Sequence, residues 1–341
     1  MSSSGAAKDE LDVEELCQVP PELVETYMFR LPRSYTYADY IWPGILISPE
    51  RLEAMKDFQF RPSDILIASY PKSGTTWVSE VVSLVIHGGD LEAVKRTPLH
   101  VRVPWLEMDN GIVWIRFFWL YQLFARLLGL DGGKNAEEEE GAEDERPRVF
   151  FTHLPLELLP KSVFTSGIKI IYVARNPKDN AVSFFHFHQM ARFLGMQKTS
   201  WNEFFPLYTS GKIYCGSWFE HVLAYWELKD AAPHQILFLK YEEMKKDLKR
   251  ELEKVCEFLA VEMASETKAA VVSHCSFDQM KENKMANRDG VWIFNQSVSK
   301  FMRKGVVGDW RNYFTLSQND LFDRVYQEKM KNTDLTFTFE L

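Results

Sequence analysis

Tyr70-Pro71-Lys72-Ser73-Gly74-Thr75-Thr76-Trp77 is a hydroxyl-rich stretch with one lysine and one glycine, set directly after the apolar run Asp64-Ile65-Leu66-Ile67-Ala68-Ser69. The run reads as a buried strand, and Trp77-Val78-Ser79-Glu80-Val81-Val82 reads as the first turns of a helix. A tight turn between a strand and a helix N-terminus aims free backbone N–H groups at one point. Such a point binds an anion, most often a phosphate. The order is not that of a nucleoside-triphosphatase loop, whose lysine follows the last glycine. Here Lys72 precedes Gly74, and Pro71 stiffens the start of the turn.

Three further groups suit the chemistry of a bound, multiply charged ligand. His153 ends the run Arg148-Val149-Phe150-Phe151-Thr152, and in open α/β sheets ligands bind at the carboxyl ends of strands. A histidine there, downstream of an anion loop, can take a proton from a hydroxyl at neutral pH. Arg175 closes Lys169-Ile170-Ile171-Tyr172-Val173-Ala174, and Pro177 two residues on can start a helix that carries Ser183. A planar guanidinium with a neutral hydroxyl donor suits a phosphate monoester. Phe301-Met302-Arg303-Lys304-Gly305 offers two cations and a glycine that allows close backbone approach. The other histidines make no rival: His186 and His188, two apart on a helix, diverge and cannot share a metal.

The elements that must position these groups follow from the same patterns. Strand candidates at Ile65–Ser69, Arg148–Thr152, Lys169–Ala174 and Gln235–Lys240 are short and continuously apolar, with helical patterns such as Glu243–Leu259 between them. That alternation predicts one α/β domain over residues 17–341, a central parallel sheet flanked by helices, with a P-loop-like phosphate-binding turn. Residues 1–16 read as a disordered tail, and about 130–146, acidic and glycine-bearing without apolar anchors, as a solvated loop insertion. Gly111 to Leu130 is long and apolar enough to suggest a membrane span, yet Arg116, Gln122 and Arg126 interrupt it between two strands of one sheet. It reads as a buried or pocket-covering helix.

At 341 residues with 46% apolar side chains the chain can bury a large core, and a net charge of −8 argues against a nucleic-acid binder. Its four cysteines are scattered, with no C-x-x-C pair, so neither a disulfide framework nor a zinc site is signalled. The polar N-terminus has neither an apolar signal core nor arginine-rich transit character, which points to the cytoplasm.

The stretch Tyr-Pro-Lys-Ser-Gly-Thr-Thr-Trp, the histidine before Leu154-Pro155 and the segment Arg303-Lys304-Gly305-Val306-Val307-Gly308-Asp309-Trp310 together resemble the cytosolic sulfotransferases, in the right order and over about residues 64–320. Members of that family move a sulfuryl group from 3′-phosphoadenosine 5′-phosphosulfate (PAPS) to a hydroxyl or amine of a small hydrophobic acceptor such as a phenol or sterol, without a metal. The resemblance implies His153 as base and Lys72, with the turn from Ser73 through Gly74, Thr75 and Thr76, at the 5′-phosphosulfate. It implies Arg175, Ser183 and the segment Phe301 to Gly305, Met302 included, at the 3′-phosphate, and Trp77 with Ser276 and Phe277 at the adenine. Trp105 and Phe151 are candidates for the acceptor wall, and the irregular stretch Lys281 to Val298 for a cover over the site. A homodimer is implied through Arg311-x-x-x-Thr315-Leu316-x-x-x-Asp320.

The chain departs from the family pattern at several points. The frequent lysine two before the histidine is Phe151, the tyrosine before Gly-Ser-Trp is Cys215 with Tyr214 displaced by one, and Cys275 stands where threonine is common. The dimer segment keeps its charges but changes their sizes. Two other readings stay open on sequence alone. One is a binding protein that holds PAPS or lipid without turnover, motivated by Phe151 and Cys215. The other is a nucleotide kinase, disfavoured by the lysine order and by His153.

Overall fold

The computed structural model describes residues 17–109 and 146–341. The expected tail, the apolar segment after Gly111 and the acidic insertion up to Glu145 lie outside them. Four strands form one parallel sheet in the order β4-β3-β5-β6: β3 is Ile65–Ala68, β4 Val149–Thr152, β5 Lys169–Ala174 and β6 Ile236–Lys240. In register, Ile65 lies beside Val149 on one side and Lys169 on the other, and Ile170 beside Ile236. A short antiparallel hairpin, β1 (Ser34–Tyr37) with β2 (Tyr40–Pro43), precedes the sheet.

Why these strands lack an alternating pattern is visible in where their side chains go. Leu66, Ala68, Ile170, Tyr172 and Ala174 point into one core, rich in aromatic rings, and Ile65, Ile67, Ile171 and Val173 into a second, mostly aliphatic one. Successive side chains on a strand face opposite ways, so a sheet covered on both faces needs apolar residues at every position.

Of the helices that bear on the site, α1 (Thr75–Ile86) follows β3 directly, α2 (Pro177–Met190) follows β5, and α3 (Trp201–Ser210) and α4 (Trp218–Ala231) pack beyond. The single helix expected over Glu243–Leu259 is two, α5 (Tyr241–Lys246) and α6 (Leu248–Leu259). Asp247 separates them with φ −154° and ψ 85°, and its carboxylate caps α6 by accepting the Arg250 N–H at 3.0 Å. Two helical periods in phase concealed a break made by one capping side chain. Two more helices, α7 (Ser265–His274) and α8 (Phe277–Glu282), lead into an irregular run as far as residue 308. The last helix, α9 (Leu316–Met330), begins with a capping box between Thr315 and Gln318.

The chain passes from β3 to β4 on one side of it, then crosses back past β3 to β5 on the other, so the strand order reverses between β3 and β5. The crevice this opens lies past the carboxyl ends of β3 and β5, where an open α/β sheet binds its ligand.

Candidate active site

The turn after β3 is built to stay open at the start of α1. Gly74 adopts φ +116°, and the first turn of α1 leaves its N–H groups without intrahelical acceptors. Ser73 serves the turn itself: its N–H donates to the Tyr70 carbonyl at 3.3 Å, and its hydroxyl accepts the Asn180 amide at 3.1 Å. Asn180 also donates to the Pro71 carbonyl at 2.9 Å and accepts the Tyr208 hydroxyl at 3.1 Å. A buried amide on α2 therefore fastens the turn from below. Lys72 sits at φ +69°, in the left-handed region that costs a side-chain-bearing residue energy. Its ammonium lies 4.5 Å from the Phe187 ring centre and 4.3 Å from that of Phe301. Burial there, then the charges of Arg175, Arg303 and Arg288, lower its pKa to about 7.

His153 stands at the end of β4. Its Nδ1 lies 2.8 Å from the Ser69 carbonyl, and a carbonyl can only accept, so Nδ1 carries the hydrogen and Nε2 keeps its lone pair. Burial, opposed by that hydrogen bond and aided by the charge of Lys72, lowers the imidazole pKa to about 4. The histidine is neutral at pH 7. Two groups that sequence reasoning missed hold it in place. The buried Glu107 carboxylate accepts the His153 N–H at 2.7 Å and the Thr152 hydroxyl at 2.9 Å. His221 donates Nε2–H to the His153 carbonyl at 3.2 Å and takes the Tyr172 hydroxyl on Nδ1 at 2.8 Å. The only sequence signal for Glu107 is one acid in the apolar run Val103-Pro104-Trp105-Leu106.

A single cavity gathers these groups. Lys72, Gly74, Thr75, Thr76, Trp77, Arg175, Ser183, Phe277, Phe301, Met302, Arg303, Lys304 and Gly305 line it, and so do Trp105, Phe151 and His153. Of the candidate residues, Ser73 and Ser276 stand off its wall; Ser276 heads α8. Trp105 and Phe151 stack with ring centres 5.6 Å apart, and each meets the His153 ring edge-on, at 5.5 and 5.6 Å. Trp77 donates its indole N–H to the Cys275 carbonyl at 2.7 Å, which fixes one ring face to the cavity. Cys275, where threonine is common, thus contributes through its backbone.

The segment 301–309 closes over the strand ends. Arg303 and Lys304 each reach Asp309 at 2.6 Å, and Asp179 on α2 accepts the Gly308 and Trp310 N–H groups at 2.8 and 3.0 Å. Gly305, at φ +65°, lies flat on the Phe277 ring; a Cβ there would come within 2.1 Å of that ring. Arg175 donates Nη2–H to the Val306 carbonyl at 3.0 Å and stacks 4.5 Å from the Tyr241 ring centre, while its buried Nε has no partner among the described residues.

The donor set suits an adenine nucleotide with two phosphate-like ends. Among the described residues the cavity wall holds lysines and arginines but no Asp or Glu, an unsatisfied guanidinium N–H, a helix N-terminus and two aromatic faces. No cluster of three or more metal-ligating side chains occurs among the described residues.

Comparison with known proteins decides the family. The sulfotransferase domain model matches residues 62–334. The chain belongs to the sulfotransferases. It is 43% identical over 289 residues to rat sulfotransferase 1C2, covering 84% of this chain and 90% of that protein. It is 40% identical to dog sulfotransferase 1A1, covering 88% and 94%. Among solved structures it resembles retinol dehydratase in complex with androsterone and the inactive cofactor PAP, with TM-score 0.75 and 26% identity over 94% of this chain and 97% of that one. Mouse sulfotransferase SULT7A1 complexed with PAP matches with TM-score 0.65 and 31% identity, over 88% and 95%. This sulfotransferase transfers a sulfuryl group from PAPS. That outcome sets aside both other readings of the sequence, the non-catalytic binder and the kinase.

Proposed function

We propose that His153 is the base of the reaction and that the acceptor is an apolar alcohol or phenol bound against Trp105 and Phe151. The observation that carries this reading is the hydrogen bond from His153 Nδ1 to the Ser69 carbonyl. It assigns the free lone pair to Nε2, the nitrogen left to take the acceptor proton. PAPS, when bound, supplies the sulfuryl group and a phosphate leaving group. Lys72 and the N–H groups at the start of α1 then face the charge that develops on the leaving oxygen, as in other in-line group transfers. Arg175, Arg303, Lys304 and Ser183 take the 3′-phosphate, and Trp77 and Phe277 the adenine. A pKa of about 4 makes His153 a weak base in the free enzyme. A neighbouring sulfate raises it toward neutrality, because an anion favours the imidazolium.

Two further readings concern assembly and compartment. Leu316, in the segment expected at a dimer interface, is 87% exposed, whereas Thr315 is spent on the cap of α9 and Arg311 on Glu340. An exposed leucine of that degree favours a second copy as its cover, with Arg311–Asp320 as the contact. The four cysteines are free, which suits a reducing cytoplasm, and no helix of the described residues is long and apolar enough to cross a membrane.

The test is transfer of labelled sulfate from PAPS to a panel of phenols, sterols and aliphatic alcohols. Turnover with apolar hydroxyl compounds, and little with polar ones of equal size, is expected. Activity confined to strongly polar acceptors would contradict the apolar wall.

A further inference from the structure

Arg288 is the cation on the cavity wall that the nucleotide does not account for. Lys72 belongs to the turn after β3, and Arg303 and Lys304 are met by Asp309. Arg175 is tied to Val306 and Tyr241, and Lys245 lies over Trp77 and Phe277. Arg288 lines the same cavity, and while its carbonyl accepts the Val291 N–H at 3.2 Å, its guanidinium makes no hydrogen bond, ion pair or ring contact among the described residues. Its backbone is held at φ +60°, a conformation that costs a β-carbon-bearing residue energy. Burial without a partner lowers its pKa to about 10. Arg288 is half-buried, and a guanidinium facing the cavity without a protein partner is free to meet an anionic group there.

Its surroundings place it on the acceptor side. The segment that carries it is pinned by the Leu99 N–H, which donates to the Met285 carbonyl at 2.8 Å. Leu99 opens the short helix Leu99–Arg102, which leads through Val103 and Pro104 to Trp105. His100 on that helix lines the cavity too, and after burial it is the charge of Arg288 that lowers its pKa, to about 4. Lys72, in contrast, feels Arg288 less than it feels Arg175 and Arg303. Val291, Ile293 and Phe294, next along the same segment, add apolar wall.

We propose that Arg288 selects acceptors that carry a carboxylate on an apolar frame, in addition to the hydroxyl that is sulfated. The inference rests on the reading of Trp105, Phe151 and His153 as the acceptor end. Arg288 offers the planar fork that a carboxylate meets with two hydrogen bonds. The carboxylate takes no part in the bond changes. The acceptor oxygen forms the new bond to sulfur, the bond from sulfur to the 5′-phosphate oxygen breaks, and the hydroxyl proton goes to His153.

The experiment compares 4-hydroxyphenyl-alkanoic acids of increasing chain length with their methyl esters, in the wild type and in Arg288→Gln. The wild type is expected to prefer the acid at one or more lengths by about tenfold or more in kcat/KM, mostly through KM, the scale of a charge-assisted contact. Arg288→Gln should erase that preference, and Arg288→Lys should retain part of it. Binding of PAP by each variant reports that the nucleotide half is folded, and the wild-type ratio of acid to ester decides by itself if a variant fails to fold. Absence of preference at every length would overturn the proposal. So would an equal fall for acid and ester in Arg288→Gln, which would instead put Arg288 against the transferring sulfuryl group. Failure of the underlying reading looks different: no transfer to any phenol, charged or neutral.

Discussion

The nucleotide end and the acceptor end proposed for this cavity are built on opposite plans. The first is polar and local: eight consecutive residues from Tyr70, nine from Arg175 and five from Phe301. Each sits where a strand ends or a loop folds back, and buried side chains behind it, Asn180 and Asp179, tie the pieces together. The proposed acceptor end is mostly apolar, with His100 and Arg288 as its polar groups, and is assembled from distant segments: Trp105, Phe151, His100, and the run that carries Arg288 and Phe294. Phosphate recognition needs several donors at one point, which short motifs supply. Recognition of an apolar body needs only enclosing surface, which any set of segments can supply. Local recognition therefore leaves a dense signature in sequence, whereas enclosure shows only at single residues such as Trp105 and Phe151.

The sharpest way to break this division is a pair of substitutions. Arg303→Ala should weaken PAP binding by about 10- to 100-fold, the scale of a charged hydrogen bond, and 5′-AMP binding far less, since 5′-AMP has no 3′-phosphate. Its acceptor KM should hardly move. Phe151→Ala should raise the acceptor KM several-fold and leave PAP binding unchanged, because the ring it removes stacks on Trp105 and not on the nucleotide end. Calorimetry and initial rates on both variants check this. Crossed effects, with each variant disturbing both ligands, would mean that the two ends are one coupled unit.

The nucleotide end was the more legible for the same reason. The strand, turn and helix around Lys72, the histidine at a strand end and the cation pair before Gly305 were all expected from short-range pattern. The role of Ser73 inside the turn was not, because it depends on Asn180, more than a hundred residues away. Glu107 behind His153 was missed for the same cause. The break at Asp247 was hidden because helical periodicity records which face is buried and not whether the backbone is continuous. Nothing local distinguished Arg288 from a surface arginine, since only the fold turns it to the cavity.

A smaller effect separates the ends by pH. Lys72 has its pKa lowered to about 7, so in the free enzyme it loses its charge as pH rises through that value. Nucleotide binding favours the charged form, so PAP affinity is highest below pH 7 and falls above it, by up to about tenfold per pH unit. Proton uptake on PAP binding, measured by calorimetry in buffers of different ionisation enthalpy, should appear near pH 8 and vanish near pH 6. Binding of neutral acceptors should carry no such dependence. Uptake that is the same at both pH values would contradict the assignment to Lys72.

The central claim is that His153 Nε2 takes the acceptor proton within a site whose nucleotide end stands without it. The most direct measurement is kcat of His153→Ala with PAPS and a phenol, alongside the Kd of PAP for the same variant. Loss of about 10²- to 10⁴-fold in kcat, the worth of a general base, with a PAP Kd within about threefold of wild type is expected. Turnover within a few-fold of wild type would contradict it.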